Sequence, residues 1–563
     1  MAVQTGEVGE NTRRILRMMA RARADGIKLV VFPELAVSGV LSAADLLDTA
    51  LLRECAASVE RIIAESQGIV IIFGAPARLD SGLTANAIIA AENGRRVRPQ
   101  KSPLDFYPKI VYRHDAFGKG FACATEIAQR LGVPSRQLDV AFAFGRGKNT
   151  LTVEVGIDVN NRSPRHLILL PYTAAYRRGG GRPDLLQFIR AHKLTAAHCS
   201  AVGVIDTGKA VCPFAGESYC TMPDGTLLTA PRFEEAVLDL SAAPTPLPQH
   251  DTPWTVIKAI ETACAFHLKR QNLSRIVIGA SGGIDSALTA AIYTRVVGAE
   301  NVLLANLPSH HNSQTTITLA RQLAERLGTY YTEVPIEESV RHTCDQINGL
   351  ACKRPQGNAL TLSLSDLAIE NVQARDRSGR VLAALASAFG GVFTCNANKS
   401  EITIGYGTMY GDLAGFFAVL GDLWKTEIWE LAAYYNQEIF GAEIIPQGSI
   451  DLVPSAELSA AQNVDEGKGD PLVYPWHDKL FAAWTERKVP ASVQDILGWY
   501  ADGTLAQETG FEADIRTLFP TRAAFRKDTE KMWRLFTGLA RAKRLQAPPI
   551  LSLKNRTYGF NLR

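Results

Sequence analysis

The sequence predicts two α/β domains in one chain, a layered α/β domain followed by a doubly wound parallel sheet. Three observations carry this. At 563 residues the chain exceeds what one hydrophobic core ordinarily organises. Residues 241–253, SAAPTPLPQHDTP, break every periodicity and read as a semi-rigid, proline-rich linker. Strand-like and helix-like stretches alternate on both sides of it. The expected domains are therefore 1–245 and 246–563.

Taken in order, residues 11–24 place Ile15, Leu16, Met19 and Ala20 at helical spacing. KLVVFPEL (28–35) follows as a compact, β-branched strand candidate. Further strands are expected at 69–76, 84–91, 151–157, 166–171 and 201–206, with a Pro-Asp-Gly turn closing 216–225. Only MAVQ precedes the first turn, which is short for an opening strand and suggests a clipped strand or a misplaced start. Beyond the linker, a helix over 254–269 leads into RIVIGASGGIDSALTAAIYTRVV, a strand, a glycine loop and a helix. NVLLANLPS and GVFTCN continue the alternation, and two polar stretches near 348–364 and 463–472 read as loops.

Composition excludes several classes of function. Hydrophobic residues at 46% and charged residues at 21% suit a soluble globular protein, and a net charge of +3 gives no reason to expect nucleic acid or a membrane surface as partner. Nine cysteines without a CxxC pair argue against a zinc site and a disulfide framework. With no signal-like start and no apolar run near the bilayer-spanning length, a cytoplasmic location is expected.

The chemistry concentrates in the segment 279–286. Gly279, Ser281, Gly282, Gly283, Asp285 and Ser286 sit between a strand and a helix, where free N–H groups and close backbone approach make an anion cradle. The two serines add hydroxyl donors, and Asp285 is placed to hold Mg²⁺ against the same phosphates. The loop has neither the GK[ST] ending of a Walker A motif nor GxGxxG spacing.

SGGIDS (281–286) resembles the pyrophosphate loop of the adenine-nucleotide α-hydrolase (ATP pyrophosphatase) superfamily. Within it, ENVQARDR (370–377), the stretch 396–432, VPSAEL (453–458) and KRLQAPP (543–549) are similar to NAD synthetase. The resemblance implies ATP and Mg²⁺ as requirements, with Asp285 and Glu401 as metal ligands and, with Lys425, as the catalytic set. It places Lys425 and Ser455 on ATP phosphates or the adenylate, and Asn371, Arg375 and Lys543 on deamido-NAD. One departure stands out: Asn396-Ala397 replaces the Thr-Gly pair that usually precedes Asn-Lys-Ser-Glu. Asn396 still hydrogen-bonds, so altered ATP contacts without loss of function are expected.

VVFPELAVSGV in the first half resembles the nitrilase-type amidase signature, which implies an α-β-β-α sandwich, Glu34 as general base and Lys101 as catalytic lysine. The cysteine expected after the VEVGI strand is Asp158 here, followed by Asn160. Amide hydrolysis on that pattern needs a thiolate to form the acyl intermediate, and a carboxylate beside Glu34 cannot supply one. The expectation is a degenerate glutaminase domain (Glu34, Lys101, Asp158) on an ammonia-dependent NAD synthetase. The alternatives are a glutamine-dependent enzyme with a working amidase domain, or a non-catalytic nucleotide-sensing paralogue. The resemblance also implies a homo-oligomer with paired synthetase domains, a dimer or an octamer. The 348–364 loop is the expected lid over a hydrolysable intermediate.

Overall fold

The computed structural model describes the chain apart from residues 42–44, 46–47, 80–83, 100–106, 116–117, 123–140, 145–150, 156–165, 172–175, 177–190, 192–194, 223, 239–242, 246–251, 460–461, 555–556 and 559–563. It divides into two compact units, Met1–Thr207 with Cys212–Thr255, and Gly208–Val211 with Val256–Arg563.

The first unit holds two extended sheets. One runs in the order Leu29–Val31, Val70–Arg78, Thr84–Glu92, Tyr107–Asp115, Gly118–Ala122, with Arg95–Val97 pairing off the third strand. The other runs Leu227–Thr229, Tyr219–Thr221, Ala196–Cys199, His166–Pro171, Leu151–Val155, Ala141–Phe144. Because strand side chains alternate faces, each central strand serves two layers. In Val70–Arg78, Ile72 points into a cluster with Ile88, Ala90 and Leu169 of the second sheet. Its neighbours Ile71, Phe73 and Ala75 join a core with Ile15 and Met19 of helix Val8–Ala24 and Ile62 of helix Thr49–Ala64. That is the α-β-β part of the sandwich expected of the first half. MAVQ does contribute a short strand, Ala2–Gln4, parallel to Val202–Val204.

The second unit is built on a four-stranded parallel sheet ordered Tyr330–Glu333, Val302–Asn306, Ile276–Gly279, Val392–Phe393. Helix Ile284–Val297 leaves the central strand and is buried on nearly every side from Ser286 to Tyr293, where its residues are mostly small or apolar. Helix Asp366–Phe389 is interrupted by a π-helical turn, Asp376–Leu382, a wide turn that often marks a functional region. Beyond the sheet lies a helical module that the sequence reading left undescribed. Its core is aromatic: Trp476, Phe481, Trp484, Tyr500, Phe511 and Phe525.

The 348–364 stretch forms an exposed two-stranded hairpin, Ala351–Cys352 with Leu360–Thr361. The 463–472 stretch differs from its reading as a plain loop. After a single turn at Val464–Glu466 it feeds Asp470 toward the site and buries Leu472 in the aromatic core. Among the described residues, no helix is long and apolar enough to cross a membrane.

Candidate active site

Residues 279–286 turn between the central strand and the buried helix, and their geometry is fixed by close backbone contact. Gly282 has φ +85°, and a Cβ there would lie 2.2 Å from the Thr316 carbonyl oxygen, so only glycine fits. Side chains hold the loop at three points. Asn306 Nδ2 donates to the Ala280 carbonyl (2.7 Å), Ser449 Oγ to the Gly282 carbonyl (2.8 Å), and Asn396 Nδ2 to the Gly279 carbonyl (3.0 Å). Asn396 thus keeps a role in place of the Thr-Gly pair, its Oδ1 accepting from Thr394 Oγ1 at 2.8 Å. Inside the turn the Ser281 and Ser286 hydroxyls lie 3.2 Å apart, Gly283 N donates to Ser281 Oγ, and Ser286 Oγ donates to the Gly283 carbonyl.

Asp285, in the first turn of that helix, meets Lys425 and Glu401. Lys425 Nζ lies 2.5 Å from Asp285 Oδ2 and 3.4 Å from Glu401 Oε1, with only 3% of its side chain exposed. Asn398 ties the group together: it caps helix Lys399–Ile404 by accepting from Glu401 N (3.0 Å) and donates through Nδ2 to Asp285 Oδ1 (3.0 Å). Tyr474 closes another side. Its ring lies under the Lys425 ammonium at 5.2 Å, and its hydroxyl donates to Asp470 (2.7 Å) and reaches Glu401 (3.5 Å).

Three carboxylates therefore face one ammonium in a dry setting. Burial pushes Glu401 up to about 8, Lys425 opposing the shift and the charges of Asp285 and Asp470 adding to it. Asp470 is likewise raised, mainly by burial. Burial alone would discharge Lys425, but Asp285 and Glu401 outweigh it and hold the ammonium above its ordinary value. The site is a buried cation beside acidic groups, among which burial keeps Glu401 largely protonated at neutral pH.

The three residues expected on the dinucleotide converge on one loop, residues 405–410. Lys543 Nζ donates to the carbonyls of Gly405 (2.8 Å) and Gly407 (2.6 Å), Arg375 Nε to that of Met409 (3.2 Å), and Asn371 Oδ1 accepts from Thr408 Oγ1 (2.8 Å). Ser455 is engaged within its own loop, donating to the Gln462 carbonyl at 2.6 Å. Two residues on, Glu457 takes φ +46° and is 3% exposed, accepting from Ser313 N, Asn312 Nδ2 and Thr316 Oγ1. That fastens the Ser455 loop to the same Thr316 whose carbonyl lies against Gly282.

In the first unit, Glu34 follows strand Leu29–Val31 and is 6% exposed. Asn86 Nδ2 donates to its Oε1. The backbone at Glu34 lies flat on Gly74, where a Cβ would sit 2.6 Å from the Glu34 Cα, and Leu35 takes φ +51°. Cys199 Sγ donates to the Val31 carbonyl (3.4 Å), and burial pushes this thiol up to about 12. Lys101 and Asp158 lie outside the described residues.

Sequence reasoning missed Asn398, Asp470 and Tyr474. Asn398 had a readable signal, an Asn directly before a short helix. Asp470 lies in the polar stretch 463–472 and Tyr474 just after it, and that composition gave no sign that either faces the site.

The NAD synthase family model matches residues 256–501. The glutamine-dependent NAD(+) synthetase of Xanthomonas campestris pv. campestris is 31% identical over 475 residues, 80% of each chain. That of Xylella fastidiosa (strain 9a5c) is 30% identical over 522 residues, 89% of each chain. Among solved structures, the glutamine-dependent NAD+ synthetase of Acinetobacter baumannii, in complex with ADP, aligns with TM-score 0.65 at 23% identity over 100% of this chain and 96% of that one. The Cytophaga hutchinsonii glutamine-dependent NAD(+) synthetase aligns with TM-score 0.70 at 15% identity over 99% and 94%. These two likenesses show the shared fold. With both sequence relatives spanning most of its length, the chain belongs to the family of the glutamine-dependent NAD(+) synthetases.

Proposed function

We propose that the second unit converts deamido-NAD to NAD, driven by ATP and with ammonia as the attacking nucleophile. The observation that carries this is Lys425, a buried ammonium held between Asp285 and Glu401, with Asp285 in the first turn of the helix that the glycine loop opens. The nicotinate carboxylate oxygen attacks the α-phosphorus of ATP, and the bond to pyrophosphate breaks. Ammonia then attacks the acyl-adenylate carbonyl, AMP leaves with the C–O bond pair, and a proton is given up.

Each group has a charge to manage. The first-turn N–H groups and the hydroxyls of Ser281 and Ser286 suit the departing pyrophosphate, and Lys425 stays protonated to face it. By the family resemblance Asp285 and Glu401 would hold Mg²⁺, Glu401 giving up its proton to do so, since carboxylate oxygens are the donors a hard divalent cation takes. Bound there, the metal would neutralise charge on the leaving group. Asn371, Arg375 and Lys543 set the shape of the 405–410 loop, which we assign to the dinucleotide. The 348–364 hairpin remains the proposed lid, and a homo-oligomer the proposed assembly.

The source of ammonia has two readings. The relatives' names favour glutamine, and the comparisons support that reading better. Asp158 at the nucleophile position favours free ammonia, as does the protonated state of the Cys199 thiol. A stoichiometry assay tests the common reaction: NAD, AMP and pyrophosphate should appear in equal amounts from deamido-NAD, ATP, Mg²⁺ and ammonium. Release of ADP and orthophosphate instead of AMP would contradict the adenylate route.

A further inference from the structure

Helix Tyr474–Thr485 sends two side chains, one turn apart, toward the site. Tyr474 touches the Lys425 ammonium and Glu401 directly. Asp478 touches neither and is 2% exposed. Its Oδ1 accepts from Ser400 Oγ at 2.5 Å, and its Oδ2 accepts from Thr426 N (3.0 Å) and Thr426 Oγ1 (2.9 Å). Ser400 Oγ in turn accepts from Lys425 N at 3.0 Å. One carboxylate thus grips the starts of two helices, Lys399–Ile404 with Glu401 and Lys425–Tyr434 with Lys425.

We propose that Asp478 is a positioning residue for the synthetase reaction, setting the separation of Glu401 from Lys425 by clamping together the two helix starts that carry them. The two helix starts are also joined by Lys399, whose N donates to the Leu423 carbonyl (2.9 Å) and whose ammonium binds Asp422 (2.7 Å), but that tie ends before the first-turn amides of the second helix. Glu401 and Lys425 come from separate helices, and their charges alone favour whatever spacing solvates them best. The first-turn amides of Lys425 and Thr426 need acceptors, because a helix start leaves its N–H groups unpaired. Here both acceptors lead to one carboxylate, directly for Thr426 and through Ser400 for Lys425, so Asp478 is the tie that holds the first turn carrying Lys425 against the first turn carrying Glu401. A carboxylate at two positive helix ends is also electrostatically matched to its place. The assignment rests on the proposed synthetase reaction for its consequence in rate, but not for its geometry.

The test compares Asp478→Ala, Asp478→Asn and Ser400→Ala in the full chain, by crystal structure and by steady-state kinetics with ammonium. In Asp478→Ala the Lys425–Glu401 separation should lengthen from 3.4 Å. Its kcat should fall on the order of 10–100-fold while KM for ATP and deamido-NAD shifts less than about threefold. Asn retains an acceptor for Thr426 and a donor to Ser400 Oγ, so it should restore most of the rate. Ser400→Ala cuts only the bridge to Lys425, should show a smaller loss in the same direction, and carries the test if Asp478→Ala does not fold. An unchanged separation in the variant structures overturns the proposal whatever the rates do. If the wild-type chain makes no NAD at all, the synthetase reading fails, and the separation alone decides the role of Asp478.

Discussion

In the proposed reaction Lys425 is the residue on which the chemistry turns, because it is a buried charge held by two acids of separate origin. Lys425→Ala removes a cation aimed at developing negative charge, and should lower kcat by about 10²–10³-fold, the range for losing one preorganised stabilising group. Initial rates at saturating ATP and deamido-NAD check this, beside a melting curve. A second buried lysine has a different task. Lys399, fully buried, is bound to Asp422 (2.7 Å) and Glu486 (2.8 Å). Burial opposes ionisation of both acids, but Lys399 and Lys554 outweigh it and hold them below their ordinary 3.8 and 4.5. The sign follows: their stabilisation is fully present above those ordinary values and is lost as pH falls through the lower folded ones. Asp422→Asn should cost about 3–5 kcal/mol at neutral pH by leaving Lys399 short of a partner. The difference from wild type should begin to shrink below about pH 4, where Asp422 of the unfolded chain takes up a proton, and should go on shrinking until the native Asp422 is protonated at its lower folded value. Denaturant melts at pH 7 and pH 3.5 measure both values.

At the scale of elements, the glycine loop was legible because everything it needs is contiguous: a β-branched strand, small residues and a helix start. Gly282 shows how strict the fit is. Gly282→Ala must move the backbone away from the Thr316 carbonyl or abandon φ +85°, and should cost about 1–3 kcal/mol in stability together with most ATP affinity. Equilibrium nucleotide binding separates this from a purely structural loss, which would leave affinity intact in the folded fraction. The remaining walls of the site were not legible. Asp470, Tyr474 and Asp478 come from a polar stretch and the helix after it, and nothing in local composition says that their faces turn inward. Lys399 reads in sequence as one more charge, since its partners lie 23 and 87 residues away. Asn371, Arg375 and Lys543 were identified by resemblance, but their shared hold on the 405–410 loop appears only when three distant segments meet.

For the whole molecule, two domains were readable from length, linker composition and alternation, whereas the aromatic helical module was not. Its residues, such as Trp476 and Phe525, find each other across several intervening helices. The layered α/β character of the first unit followed from alternation and its sandwich arrangement from the resemblance, and in the structure Ile72 and Phe73 serve opposite faces. Phe73→Ala should therefore destabilise that unit by about 3–5 kcal/mol, read from its unfolding transition. Glu34 is built into this unit with care: Asn86 holds its carboxylate and Gly74 admits its backbone. Glu34→Gln should abolish glutamine-supported synthesis if the first unit hydrolyses glutamine, and should leave ammonium-supported synthesis unchanged in either reading.

The most direct measurement is NAD formation from deamido-NAD, ATP and Mg²⁺, run in parallel with ammonium chloride and with glutamine. The site described here predicts NAD with ammonium, accompanied by AMP and pyrophosphate. The glutamine arm then assigns the nitrogen source: no NAD there fits Asp158 in place of a cysteine, and equal activity fits a working amidase domain. No NAD from either donor would contradict the synthetase assignment and leave a nucleotide-binding protein without this reaction.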